Sequence, residues 1–429
     1  MMPKATFNFP AGFLWGSASA ASCMEGNSPA NDWSEWEQQP EHVLDGSDST
    51  RACEWWSGRW REDFDRAQEG YQKILRFSVD WARVQPELDR WDEQALDRYR
   101  EMLLGLKQRG ITPLLSLHHF TNPRWFAQMG GWENEQSAEV YAEYARRVVD
   151  ALKAHCALWL TFSAPNDYIL KAYRAGIFPP GRQDDKAAGR ALGNIARAHA
   201  AAYTAVHTLQ ADAQVGFTHL WSGAGDRADT NRNAFPLAFQ TGRLEFGGLR
   251  QALPQLKGAL DFLGIDYFAR DADSAPRAAK KPSRKAGAQS AAEAGKENER
   301  ASSDPIGLRE AVKWGGKFEL PMFISANGCD DARDDFRRQY LAEHVHALWH
   351  MVNFNAQVRG YLHWSLTDHF AWEKGWNAKF GLWALDPQTQ QRTRRQSADF
   401  YAEICRTGSL SSDMVEKYCP EVFDRIFPV

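Results

Sequence analysis

At 429 residues and 43% hydrophobic content, the chain is long enough to bury a large core, and a barrel with long loops fits residues 1–429 without a second domain. Lys and Arg total 51 against 55 for Asp and Glu, a formal net charge of -4 at pH 7. That balance gives no electrostatic case for nucleic acid or an anionic membrane as partner, and it leaves a small-molecule ligand as the expected one.

The chain reaches Phe7-Asn8-Phe9-Pro10 without a basic segment followed by an apolar one, and no run of about 18 apolar residues occurs later, so a cytoplasmic protein is expected. Short β-rich runs then recur at 12–17, 74–79, 112–117, 158–162, 214–219, 262–267, 322–325 and 360–364. Amphipathic segments such as 93–109, 137–155 and 190–209 separate them. Eight strands alternating with helices predict an α/β fold, a closed parallel (β/α)8 TIM barrel, in preference to a doubly wound sheet. Between the sixth and seventh strands, 270–304 is rich in Ala, Lys, Ser, Arg and Glu and has almost no large apolar residue, which predicts a flexible loop. The six cysteines show no CxxC pair and read as reduced thiols, and most of the 18 tryptophans read as core.

In such a barrel, function sits just past the C-terminal ends of the strands. Those positions hold Cys23 and Glu25, Asp80 and Trp81, His118 and His119, Ser163 and Asn166, Asp266, Asn327, Trp364, Ser365 and Asp368, a polar and aromatic ring suited to a polar ligand. Retaining glycoside hydrolysis needs two carboxyl groups about 5 Å apart. Neither is present at the fourth strand end, Thr161-Phe162-Ser163-Ala164-Pro165-Asn166, nor at the seventh, Ile324-Ser325-Ala326-Asn327-Gly328.

These two segments carry a family resemblance. The first is similar to the TFNEP segment of glycoside hydrolase family 1, the β-glucosidase family, and the second to its ITENG segment. Ordered matches run nearly end to end: Phe13-Leu14-Trp15-Gly16, Glu25-Gly26, Arg76-Phe77-Ser78, His119-Phe120, Gly130-Gly131-Trp132, Pro179-Pro180-Gly181, Trp364-Ser365-Leu366 and Lys379-Phe380-Gly381-Leu382. The resemblance implies that Ala164 stands at the acid/base position and Ala326 at the nucleophile position, so that no catalytic residue is intact. It also implies a sugar subsite in which His119, Trp364, Trp372 and Arg76 are kept. Cys23 replaces a Gln, Ser163 an Asn, Asp266 an Asn, Phe268 a Tyr and Ala371 a Glu.

With both carboxyls gone, the family route has neither nucleophile nor acid, and three readings stay open. The chain is a pseudoglycosidase that binds a glycoside or a bulkier, less hydroxylated ligand. Alternatively, it is an enzyme of another reaction type in the same pocket, with His119, Asp266, Asp167 or Cys23 as acid or base. A β-glycosidase altered deliberately is the third. Arg76, left without its anion, is expected to pair with Asp266 or with an anionic ligand group. Lys171 and Lys374 lie near the expected rim and read as solvated surface. His118, His119, His363 and His369 show no HxH or HExxH spacing among themselves, so no metal is expected, and no cofactor is implied.

Overall fold

Eight parallel strands close into a barrel: β1 (Leu14–Ala18), β2 (Ile74–Ser78), β3 (Thr112–Ser116), β4 (Leu158–Leu160), β5 (Gln214–Leu220), β6 (Phe262–Tyr267), β7 (Met322–Asn327) and β8 (Val358–His363). Each pairs with the next, and β8 returns to β1 in the register Tyr361 to Trp15 and Leu362 to Gly16. This is a computed structural model, and it describes residues 4–27, 30–223, 232–270 and 303–428. The strands are apolar almost throughout because both of their faces are covered; every residue of β2, β6 and β7 is buried.

One helix of the outer ring follows each strand: α1 (Trp60–Glu69), α2 (Glu93–Gln108), α3 (Ser137–Leu152), α4 (Asp185–Leu209), α5 (Ala234–Thr241), α6 (Pro305–Gly316), α7 (Phe336–Asn353) and α8 (Gln396–Thr407). Their buried faces follow helical spacing, as in Leu96, Tyr99, Leu103 and Leu106 of α2 and Tyr141, Tyr144, Val148 and Leu152 of α3. Caps set where they start. The Asp92 carboxylate accepts from Ala95 N at 3.0 Å at the head of α2, and Asp184 accepts from Lys186 N at 2.7 Å and Ala187 N at 3.1 Å at the head of α4.

All eight expected strands are present, with displaced ends. The fourth was expected over 158–162 but stops at Leu160, because the chain turns through Ala164 at φ 40°, ψ 56° into a short helix, Pro165–Ile169. The helix expected from 190 begins at Asp185, where the Asp184 cap holds an extra turn. Of the loop expected over 270–304, residues 271–302 lie outside the described residues. Its two ends meet through Arg270 Nε and Asp304 Oδ2 at 2.7 Å.

Seven tryptophans, at 15, 33, 55, 81, 132, 159 and 221, are among the largest fully buried side chains. All six cysteines are free and buried. β1 lies against β2 at Gly16 with no room for a side chain: a Cβ there would stand 1.8 Å from the Ile74 carbonyl oxygen of β2. Gly16→Ala is therefore expected to push β1 off β2 and to cost about 2 kcal/mol or more, read as a lowered urea midpoint at unchanged slope.

Candidate functional site

The βα ends converge on a floor built around one cation. Arg76, at the centre of β2, is fully buried and points across the barrel. Its Nη1 donates to Asp266 Oδ1 at 2.8 Å and to the Ser325 carbonyl at 3.1 Å, and its Nη2 donates to Thr218 Oγ1 at 3.4 Å. Asp266, near the end of β6, accepts two further bonds: Ser325 Oγ donates to Oδ1 at 2.6 Å and Thr218 Oγ1 to Oδ2 at 2.7 Å. Thr218 in turn accepts the Ala164 N–H at 2.9 Å. Strands β2, β5, β6 and β7 and the turn after β4 thus share one hydrogen-bonded cluster. The Arg76 Nε is buried and has no partner among the described residues.

Removing one member of such a buried pair leaves an uncompensated charge, at a cost of about 3–5 kcal/mol. The sequence-based expectation that Arg76 pairs with Asp266 is met by this geometry.

Above the floor the wall is aromatic. The His119 ring centroid lies 6.1 Å from that of Trp364 and 6.0 Å from that of Trp372. Trp372 rests on Trp33 at 4.7 Å and Phe120 at 5.2 Å, and Trp364 meets His369 edge-on at 5.2 Å. Burial, reinforced by Arg76, His118 and His369, holds the His119 imidazole well below its usual range, so it is neutral at pH 7. Its Nδ1 is buried without a partner among the described residues.

Other expected site residues fall as follows. Cys23 sits in the short helix Ala21–Met24 directly after β1, fully buried, and burial followed by Cys53 raises its thiol well above the usual value. That leaves little thiolate for nucleophilic work. Ser163 Oγ is bonded to Ser116 Oγ at 2.7 Å. The Asn166 amide is taken up by the β5 backbone, donating to Leu220 O at 2.9 Å and accepting from Leu220 N at 3.2 Å. Phe268 follows β6, with its ring 6.2 Å from Phe380, and Ala371 is buried beside Trp372. Ala164 is buried in the turn after β4, and Ala326 is buried near the end of β7.

Lys171 departs from a solvated surface lysine. Its Nζ lies 3.3 Å from Asp167 Oδ2, 3.4 Å from Glu373 Oε1 and 4.7 Å from the Phe178 centroid. Burial alone would lower its ammonium, but the two carboxylates outweigh that and raise it. The residues that reading the sequence missed are Thr218 and Ser325, the two hydroxyls that complete the floor. Their signal was available in the inward alternation of β5 and β7, but a lone hydroxyl in a strand carries no motif. No group of three His, Cys, Asp or Glu side chains among the described residues is placed to hold a metal ion.

The family model described as Glycosyl hydrolase family 1 matches residues 5–238 and 243–409. The chain belongs to this family. It is 27% identical to Beta-glucosidase A of Thermotoga maritima, over 94% of this chain and 98% of that one. It is 28% identical to a Beta-galactosidase of Saccharolobus solfataricus, over 95% and 97%. Among solved structures, a beta-glycosidase from Pyrococcus horikoshii superposes with a TM-score of 0.83 at 28% identity, covering 96% of this chain and 98% of that one. A family 1 glucosidase from Thermotoga maritima superposes with a TM-score of 0.82 at 24% identity, over 94% and 99%, a likeness of fold.

Within this family-1 barrel, buried imidazoles make stability depend on pH. Burial pushes His118, His199, His219 and His369 down to about 4, and His344 and His363 to about 3. Each takes a proton near pH 6.5 when unfolded and resists one when folded, so its contribution is complete above pH 6.5 and is lost as pH falls toward 4. Buried Glu25, Asp32 and Glu37, raised to about 7 by desolvation, act in the opposite sense and cost stability as pH rises from about 4 toward 7. The imidazoles outnumber these carboxyls, so the melting temperature is expected to fall steadily between pH 7 and pH 4.5. A calorimetric series across that range checks the sign.

Proposed function

We propose that this family-1, β-glucosidase-like barrel is a pseudoglycosidase: it binds an uncharged glycoside, or a bulkier and less hydroxylated small molecule, at the barrel mouth without hydrolysing it. The observation that carries this reading is a pair of methyl groups, Ala164 in the turn after β4 and Ala326 near the end of β7. Retaining hydrolysis requires a nucleophile and an acid/base about 5 Å apart, and by the family resemblance those are the two positions. A methyl group neither attacks an anomeric carbon nor protonates a leaving oxygen.

The other candidate groups support binding over replacement chemistry. Asp266, the carboxylate at the floor, already accepts bonds from Arg76, Ser325 and Thr218, so both of its oxygens are engaged within the chain. Cys23 is held as a thiol by burial, and Lys171 is held as an ammonium by Asp167 and Glu373.

The expected ligand follows from the lining. Cys23, Ser163, Phe268 and Ala371 offer few hydrogen bonds for sugar hydroxyls, and each hydroxyl buried without a partner costs about 1–3 kcal/mol. His119, Trp364 and Trp372 offer flat, neutral surface instead. Outside them, Leu44 is 76% exposed and its N–H is bonded to Glu373 O; Ile177 is 44% exposed and its N–H is bonded to Lys171 O. The Lys171 to Glu373 ion pair thus has an exposed apolar residue on either side, which favours a ligand with an apolar portion reaching out of the mouth.

Aryl β-glucosides and β-galactosides are expected to release no p-nitrophenol above the uncatalysed rate. Turnover in the range of ordinary family members would overturn the reading. A thermal-shift series over aryl glycosides and their aglycones is expected to show saturable stabilisation that rises with apolar area and is lost in Trp372→Ala.

A further inference from the structure

We propose that Asp266 is a built-in anion that determines the ligand charge this pocket accepts, by claiming Arg76 from within the chain so that the floor rejects anionic ligands. Arg76 has no exposure to solvent, and an isolated guanidinium there would draw in any small anion that fitted. Asp266 forecloses that with an Nη1 contact at 2.8 Å. Ser325 and Thr218, which also accept from the guanidinium, each donate a hydroxyl to one oxygen of the carboxylate and so fix it beside Arg76. The one guanidinium nitrogen left without a partner among the described residues is the buried Nε. A second anion brought to that donor would meet the Asp266 carboxylate across the same guanidinium, and two like charges sharing one site raise the cost of both.

The register of the barrel makes the same point about side chains. Strand β7 shifts its pairing with β6 between Ile324 and Ala326, so that Ala326 falls opposite Asp266 while Ser325 still reaches its carboxylate. Neighbouring strands stand about 4.8 Å apart. Any acidic side chain at 326 would lie beside Asp266 and compete with it for Arg76. The alanine at 326 and the aspartate at 266 are therefore coupled: an anion at one position excludes an anion at the other. This coupling rests on the placement of Arg76, Asp266 and Ala326, and it holds whichever way the hydrolysis test falls.

The test uses the full chain and two probes, sodium formate and sodium azide, titrated at constant ionic strength while the melting temperature is followed. Unaltered protein is expected to show no saturable shift with either anion. Asp266→Asn is expected to show a saturable rise of several degrees that disappears in Arg76→Met/Asp266→Asn. A saturable, Arg76-dependent rise in the unaltered protein overturns the proposal, and so does the absence of any rise in a folded Asp266→Asn variant. If Asp266→Asn alone fails to fold, the coupling is read from Ala326→Glu. That substitution is expected to lower the melting temperature in the presence of Asp266 and to restore folding when combined with Asp266→Asn. Equal effects in the two backgrounds overturn the proposal. None of these readings requires turnover, so a failed anion test and a failed binding-without-hydrolysis reading are distinguishable.

Discussion

A guanidinium at the centre of a barrel has to be neutralised by something, and the way Arg76 is neutralised organises the rest of the site. The charge is in β2, its counter-charge in β6, and the hydroxyls that hold the counter-charge are in β5 and β7. The Ala164 N–H joins the same cluster through Thr218. Because the partners come from strands far apart in sequence, the pair forms only when the barrel closes. A buried ion pair is not in itself a strong stabiliser, since desolvation offsets most of the attraction. What the cluster does is tie β5, β6 and β7 to β2 through one guanidinium and one carboxylate.

The barrel was legible in the sequence because its signals are redundant. Eight apolar runs, separated by helical periodicity, leave few alternatives once parallel connection is assumed, and the errors were confined to element ends. Those ends depend on single local events that a pattern does not weigh, such as the Asp184 cap or the left-handed turn at Ala164. The pairing of Arg76 with Asp266 was also legible, since a lone buried cation demands an anion and Asp266 was the acidic residue out of place. What was not legible was who else holds it. Thr218 and Ser325 are ordinary strand residues until the register brings them to one carboxylate, and register is a property of the closed sheet.

Asn166 and Lys171 mark the same boundary from the other side. Both lie just after β4, and both have polar side chains that a linear reading assigns to ligand or to solvent. The Asn166 amide instead satisfies the N–H and C=O of Leu220, which stabilises the junction of β4 and β5. The Lys171 ammonium bridges Asp167 and Glu373, so it ties the turn after β4 to the turn after β8 on opposite sides of the mouth. Trp372 sits next to Glu373 and is held by Trp33, Phe120 and the backbone around it. The aromatic wall is thus mounted on ionic and aromatic supports.

The turn at Ala164 carries one more consequence. A left-handed conformation costs a residue with a Cβ about 1 kcal/mol, and only glycine or asparagine adopts it readily. Ala164 keeps φ at 40° under the restraint of its N–H on Thr218 and its carbonyl, which accepts the Tyr168 N–H at 3.1 Å. The chain gives up stability, in every folded molecule, to bring β4 into its helix at one particular angle. What the angle fixes is the path of the chain from β4 into the helix Pro165–Ile169, where Asn166 takes up the β5 backbone at Leu220.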